Sequence, residues 1–450
     1  MKNLFALAAA IALWTLILHP EGAAASSSLE AAVSKALERS PSLRGSLARR
    51  DEAQAAEREA SLRRLPALSA RTSLTRGDNP VYAFSSLLDQ RAFTAQDFAV
   101  DRLNWPGYRT NMQSALEAGL PLFTGFDITN ARSLANLDAR EAEAAGEGLS
   151  QRTRLEVLRA YLGILLERDS LSAVSERAQS AEKDLQEAEH LRQKGLVLGS
   201  DYYAAEAILS GLKAWQARLS SKLAAAKARL DVLTGGGPAP AGRLGEKAYE
   251  VPAEQELVSK ALEQRTDIRG ASIQESAAEV RTKMADSSIL PKVDAFAAIE
   301  LNNGDFSAAP SDRIVGVRLN MPFGDPAYAP RRQAARARLA QSRFGKEALQ
   351  DAVKTDVLAA RAGYMGAVES LPQAQAMLER SEKSLELFRP LYREGRQSVL
   401  EVLRAEEAAA RARAMRLDAL YGVHAGYAAL RFAAGSLDDD AVKEIASRLE

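Results

Sequence analysis

Val33 to Glu38 reads VSKALE, and Val258 to Glu263 reads VSKALE again, 225 positions later. At the same offset Gly45 matches Gly270, and Leu65-Pro66 matches Leu290-Pro291. The offset then falls to 201, where Leu120-Pro121 faces Met321-Pro322. It falls to 200 where Gly195 faces Gly395, Ala205-Glu206 faces Ala405-Glu406, and Leu230 and Gly235 face Leu430 and Gly435. One unit of roughly 200 residues is thus present twice, and the first copy carries 24 residues that the second lacks. Repeats this long are not solenoid units, whose periods run about 20 to 50 residues. They imply two copies of a supersecondary assembly and a pseudo-twofold protomer. The expected division is a signal segment over 1–25, a first repeat over 26–235, a linker over 236–254, a second repeat over 255–435 and a tail over 436–450.

Composition narrows the classes. Lys2 precedes an apolar run from Leu4 to Leu18, then Ala23-Ala24-Ala25 before Ser26, which is the charged, apolar, small order of a cleavable secretory signal. The run is shorter than the ~20 residues a spanning helix needs, which disfavours an uncleaved anchor. With no cysteine, disulfides, thiolate metal sites and cysteine nucleophiles are excluded. Lys plus Arg equals Asp plus Glu at 59 each, so no global field points to nucleic acid. Beyond the signal only His190 and His424 remain, and they are not spaced as metal ligands. No convergent set of titratable groups stands out, so an enzyme is not expected and no cofactor is implied.

The apolar period changes along each half. Ser28 to Arg64 and its counterpart Gln255 to Ser288 read as helices that stop at Leu-Pro. Alternation comes next. Leu68, Ala70 and Leu74, then Met112, Leu116 and Leu120, are apolar between polar neighbours. So are Val293, Ala295, Ala297, Ile299 and Leu301, with Phe296 the exception, and Val315, Val317, Leu319 and Met321. Segments of about ten residues with one apolar and one polar face fit transmembrane β-strands. They equally fit an antiparallel sheet half-buried on a soluble core.

The segments beyond the strands separate these readings. Asp127 to Arg192 and Arg331 to Arg393 are helical for over 60 residues, on the order of 100 Å. Leu171, Val174, Ala178, Ala181, Leu185 and Ala188 keep coiled-coil spacing, as do Leu371, Ala374, Leu378, Ser381, Leu385 and Phe388. A returning helix after the turn Gly195 to Ser200 carries Leu209, Leu212, Gln216, Leu219, Leu223, Ala226, Leu230 and Leu233. Each half therefore reads as a helix, a β-hairpin and a long helical hairpin. An open sheet edge cannot face hydrocarbon, so four strands per chain must close by oligomerisation. The expectation is an α+β membrane protein whose strands close a β-barrel across protomers and whose helices close an α-barrel. A secreted periplasmic coiled-coil protein without a pore is the alternative.

Taken together, PLFTG at Pro121 to Gly125, its echo Pro322-Phe323-Gly324, GLVLGSD from Gly195 to Asp201 with Ala205-Glu206 after it, and the A-x-x-x-L-x-x-L-x-G ending from Ala226 to Gly235 resemble the TolC-type outer membrane efflux proteins. The resemblance covers essentially the whole mature chain. It implies a homotrimer in outer-membrane lipid with a twelve-stranded barrel. It also implies a periplasmic adaptor and an inner-membrane transporter as partners, for efflux or protein secretion. The helical-tip turns at Gly195, Leu196, Gly199 and Gly395 would meet the adaptor. The aromatic-rich insertion 77–110 would be the long extracellular loop, packing over the barrel mouth.

The resemblance also implies a gate at those turns. Glu401 stands at the family's first acidic position, and Arg404 stands at the second. Tyr392 matches the latch tyrosine and Asp201 its aspartate, with Ser200 before it; Gln397 replaces the latch arginine beside Arg396. Glu401 and Arg404 are then placed to pair across protomers. A plainer role is local: Ser398 and Glu401 have the spacing of a capping box, and Ser200 with Asp201 suits a helix start.

Overall fold

The computed structural model describes residues 21–237, 239–304 and 311–450, so most of the signal-like segment lies outside the described residues. The chain divides into a helical unit, residues up to 48, 143–271 and 345–450, and a sheet unit, 49–142 and 272–344.

The sheet unit holds β1 (Ala67–Gly77), β2 (Arg109–Phe123), β3 (Lys292–Asn303) and β4 (Ser311–Asn320), antiparallel in the order β1-β2-β3-β4. Its register turns the sequence alternation into two faces, because directly paired residues point to the same side. Ala70 pairs with Leu116 and Leu116 with Ile299; Ala118 pairs with Ala297 and Ala297 with Val315. Leu68, Leu74, Val317 and Leu319 complete an apolar face that stays open to the surroundings, with Leu68 73% and Val315 81% exposed. The other face is polar: Gln113 donates to Glu300 at 3.2 Å and Asn111 to Asn302 at 2.9 Å. Phe296, which broke the alternation, lies on this polar face over Gly316, where an added Cβ would come within 2.7 Å of the ring. Arg318 lies 5.1 Å above the same ring. The glycine leaves room for the aromatic ring.

The insertion, which joins β1 to β2, carries short helices of its own. It folds as α3 (Pro80–Asp89), a 3-10 turn at Ala95–Phe98 and α4 (Val100–Asn104), after α1 (Glu21–Arg39) and α2 (Pro41–Leu62) of the chain's start. Asn79 caps α3 by accepting from the Val81 and Tyr82 amides, and Pro80 fills the first helical position. Phe84, Phe93 and Phe98 pack with centroids 4.8, 5.2 and 6.5 Å apart, and Tyr82 donates to the Thr75 carbonyl. The three rings pack on one another, and Trp105 remains exposed.

The helical unit contains parts of α5 (Asp127–Gln193) and α9 (Tyr328–Arg393), with α6 (Gly199–Thr234), α7 (Glu254–Gln264), α10 (Val399–Ala433) and α11 (Asp439–Ala446). The single helices expected over 28–64 and 255–288 are each broken. The first breaks at Ser40, where Pro41 begins α2 and disfavours helical backbone before it. The second breaks 225 positions on at Arg265, between α7 and α8 (Thr266–Ser287), without any proline. Arg265 is extended there, and its guanidinium bonds Asp267, Asp356 and the Ala433 carbonyl. Tertiary packing therefore makes a break that local propensity does not. A positive-φ glycine abuts each break: a Cβ on Gly235 would collide with Arg39, and one on Gly435 would lie 2.9 Å from the Arg265 amide nitrogen.

The core of this unit gathers Leu29, Leu158, Leu162, Leu165, Leu420, Leu430, Leu437 and Ile445 around two enclosed tyrosines. Tyr161 donates to the Ala241 carbonyl at 2.9 Å and accepts from the Ala241 amide at 3.0 Å. Tyr364 does the same to Tyr249, at 2.7 Å both ways. Each hydroxyl thus satisfies both backbone polar groups of one linker residue, half-buried Ala241 in the first case and buried Tyr249 in the second. His424, whose surroundings were not legible in the sequence, fixes the same linker through Tyr249 and Gly245.

Candidate functional site

Two helical turns carry the residues singled out for gating. After α5, Gly195 at φ 75° lets the Leu196 amide reach the Leu191 carbonyl at 2.9 Å. After α9, Gly395 at φ 72° lets the Arg396 amide reach the Leu391 carbonyl at 2.8 Å. Both are the glycine-dependent helix ending that left-handed backbone permits. Beyond Gly195 the first turn presents apolar surface, Leu196, Leu198 and Tyr203 being exposed. Gly199 then opens α6. Tyr202 and Tyr203 stand beside Arg192, whose guanidinium lies 5.0 and 5.9 Å from their rings. The same guanidinium grips Glu189 with two bonds of 2.8 Å; with Gln193, it holds that carboxyl down at about 2.

The expected caps are absent. Ser398 is the residue before α10, but its side chain makes no capping bond, so no capping box joins it to Glu401. The residue before α6 is Leu198, and Ser200 and Asp201 lie inside the first turn, 3.5 Å apart. The acidic Asp201 still suits the positive end of the helix.

Within the single chain the gate residues have local partners or none. Glu401 and Arg404 pair with each other within one chain at 2.8 Å, one turn apart on α10, and both are partly exposed. Gln397 lies half-buried in the turn. Tyr392 does not latch to Asp201: its hydroxyl is buried without a partner, and burial together with Glu187 and Asp184 pushes it up to about 12. Its ring instead packs with Ala181, Leu185, Leu209, Val399 and Leu403.

The residue-by-residue reading missed Glu406. It is fully enclosed, although its counterpart Glu206 is exposed. Arg389 of α9 bonds it, and Arg177 of α5 lies 3.5 Å away. A signal was present, since Glu406 interrupts the three-and-four spacing of Val399, Leu403 and Ala410 with a charge. Among the described residues no group of side chains could hold a metal ion, and no helix is long and apolar enough to cross a membrane.

A sheet with one continuous apolar face, together with long helical hairpins ending in matched glycine turns, defines a channel protomer of the outer membrane. The model of the family described as outer membrane efflux protein matches residues 32–236 and 257–436. The chain belongs to that family, whose members are passive channels rather than enzymes. No curated protein matches the sequence comparably. Among solved structures, CusC aligns at 20% identity over 91% of this chain and 92% of its own, with a TM-score of 0.78. The Campylobacter jejuni CmeC outer membrane channel aligns at 15% identity over 94% and 90%, with a TM-score of 0.79. Vibrio cholerae VceC aligns at 18% identity over 90% and 96%, with a TM-score of 0.74. At these identities the likeness is one of fold.

Proposed function

We propose that this chain is the outer-membrane exit duct of a tripartite efflux or secretion system and works as a homotrimer built on its two tandem repeats. The observation that carries the reading is the four-stranded sheet, open at β1 and β4, with one apolar face. Hydrocarbon tolerates no unpaired edge, so the sheet must close with copies of itself. Two copies would supply eight strands, and a barrel of about eight is filled by its own side chains. Three copies supply twelve and leave a lumen. The polar face, with Gln113, Glu300, Asn111 and Asn302, then lines water, and the apolar face meets lipid. The long hairpins of three copies close a helical tube in the periplasm.

Material enters such a duct from a periplasmic adaptor and an inner-membrane transporter. The exposed Leu196 and Leu198, held by the Gly195 turn with Gly199 and Gly395, offer the adaptor an apolar, preformed contact. Glu401, Arg404, Asp201, Ser200, Tyr392 and Gln397 surround the entrance.

The test is oligomeric state together with conductance. Natively folded protein extracted from outer membranes should crosslink as a trimer and carry ionic current in planar bilayers. Crosslinking that stops at the monomer, or a water-soluble mature protein needing no detergent, would return the chain to a periplasmic coiled-coil role.

A further inference from the structure

The apolar face of the sheet changes character at one end. On β1 it runs from Leu68 through Leu74 to Arg76, which pairs with Thr110. On β4 it runs from Leu319 through Val315 to Arg313, which pairs with Ile299. Strand residues two apart share a face, so both guanidinium groups belong to the side that meets lipid in the duct. Both also stand at the end of the sheet from which the insertion leaves. Among the described residues neither forms an ion pair: Arg76 lies 5.6 Å from the exposed Tyr108 ring, and Arg313 is exposed. The strand carboxylates of this end, Glu300 and Asp312, pair with each other's positions on the polar face, and Asp312 is held by Arg91 at 2.9 Å. An arginine on the lipid face is tolerated near the interface and not at the midplane, so this end lies at headgroup level.

Closure of the barrel brings the two arginines together. β1 and β4 are the open edges, so β4 of one copy comes beside β1 of the next. Carried through the ladder, Ser311 lies level with Thr72, and Leu319 lies beyond Ala67. Pairing β4 along the next copy's β1 therefore requires a step toward Gly77, the stagger that every closed barrel has. The step is even, because an odd one would turn the apolar residues to the lumen. A step of about four or six residues overlaps the strands, and with either one Arg313 meets the next copy's Arg76 directly or on the diagonal, within about 8 Å. Like charges set side by side across a strand pair repel. Asp78, just past the strand, offers one carboxylate to two guanidinium groups, so the seam stays net positive and calls for an anion.

We propose that Arg76 and Arg313 of adjacent copies form a seam site for the phosphorylated headgroup of an outer-leaflet lipid, whose acyl chains lie on Leu74, Met112 and Val315. The proposal rests on the duct reading above. Guanidinium groups match phosphate oxygens through paired charge-assisted bonds. The apolar residues one step along each strand favour a phosphate that carries chains over one free in solution. The lipid thereby becomes part of the joint between protomers.

Native mass spectrometry of the detergent-extracted trimer, together with the temperature at which the trimer dissociates in SDS, tests the site. The probes are lipid A bearing its phosphates, the same lipid A after enzymatic dephosphorylation, and inorganic pyrophosphate. Phosphorylated lipid A should bind at each seam and raise the dissociation temperature, and the dephosphorylated form should do neither. Arg76→Gln and Arg313→Gln should each weaken binding about tenfold, the loss of one charge-assisted contact, while Arg76→Lys and Arg313→Lys keep part of it. Equal binding of the two lipid A forms to the wild type, a comparison that needs no variant, overturns the site. So does pyrophosphate matching the effect of the lipid, or full binding in both glutamine variants. Absence of any trimer overturns the duct reading instead.

Discussion

Acidification should loosen the linker between the two halves through His424. The Nε2 atom of this ring lies 2.9 Å from the Gly245 carbonyl, which only accepts, so that nitrogen carries the proton. Nδ1, 2.5 Å from the Tyr249 hydroxyl, is then the acceptor, and the neutral ring is satisfied at both ends. Tyr249 meets the ring edge-on, and Tyr364, Tyr427 and Arg448 pack in turn against Tyr249, with Glu444 bonded to Tyr427. Burial, seconded by the charge of Arg448 and opposed by the Gly245 bond, holds the His424 pKa below the ordinary 6.5. In the unfolded chain the ring takes up a proton near 6.5, whereas the folded ring resists it, so the unfolded state binds more protons below that value. Stability is complete above about pH 6.5 and declines as pH falls, by up to about 1.4 kcal/mol per unit, until the folded ring also titrates. Hydrogen exchange of residues 241–251, corrected for intrinsic rates, reads this as up to about a tenfold loss of protection per pH unit. His424→Gln offers a donor and an acceptor without titrating, and its protection should stay flat. Wild-type protection that ignores pH in this window, or that falls equally in His424→Gln, would refute the assigned tautomer and burial.

Gly435→Ala should destabilise the helical unit by at least about 1 to 3 kcal/mol, the cost of left-handed backbone for a side chain, because Arg265 leaves no room as well. Thermal or denaturant unfolding of the detergent-solubilised protein measures it. Glu401→Ala should reduce cation selectivity in single-channel recordings, and Arg404→Asp should deepen it by freeing Glu401 from its ion pair and adding a second acidic group. Unaltered selectivity in both variants would place the constriction elsewhere. An epitope inserted between Asp89 and Ala95 should be labelled by antibody on intact cells, since outer-membrane barrels place their longer connections outside; labelling only after lysis would invert the topology.

The strands were legible because one face meets a different medium from the other, which writes a period of two into Leu68 to Leu74 and Val293 to Leu301. The long helices were legible from their seams, and Gly195 and Gly395 from the left-handed backbone that their turns need. The break at Arg265 was not, since an arginine carries no local stop signal and only Asp267, Asp356 and Gly435 impose it. The small helices of the insertion were hidden for a related reason: Asn79-Pro80 is a helix start, but aromatic residues dominate the pattern around it. In the gate region, counting along the turns located Glu401 and Arg404 yet could not tell that they pair within the chain. It also could not tell that Arg389 would bond Glu406 while Tyr392 bonded nothing. Arg389 and Glu406 are 17 positions apart but stand on opposite helices of a hairpin, and Ser180, which Arg389 also bonds, is 209 positions away, so their meeting depends on which helix lies alongside.

The open strands β1 and β4 make the durability of the sheet a property of the population rather than of one molecule. A lone protomer displays two adhesive borders and a greasy plane, and these invite indiscriminate partners as readily as the proper ones. On the proposed trimeric duct, its survival before assembly is a race between finding two siblings and clumping. Because association depends on protomer concentration, apparent sturdiness should rise with abundance until unproductive encounters overtake it. A substitution at either border could therefore empty the membrane of protein while leaving every contact within the chain intact.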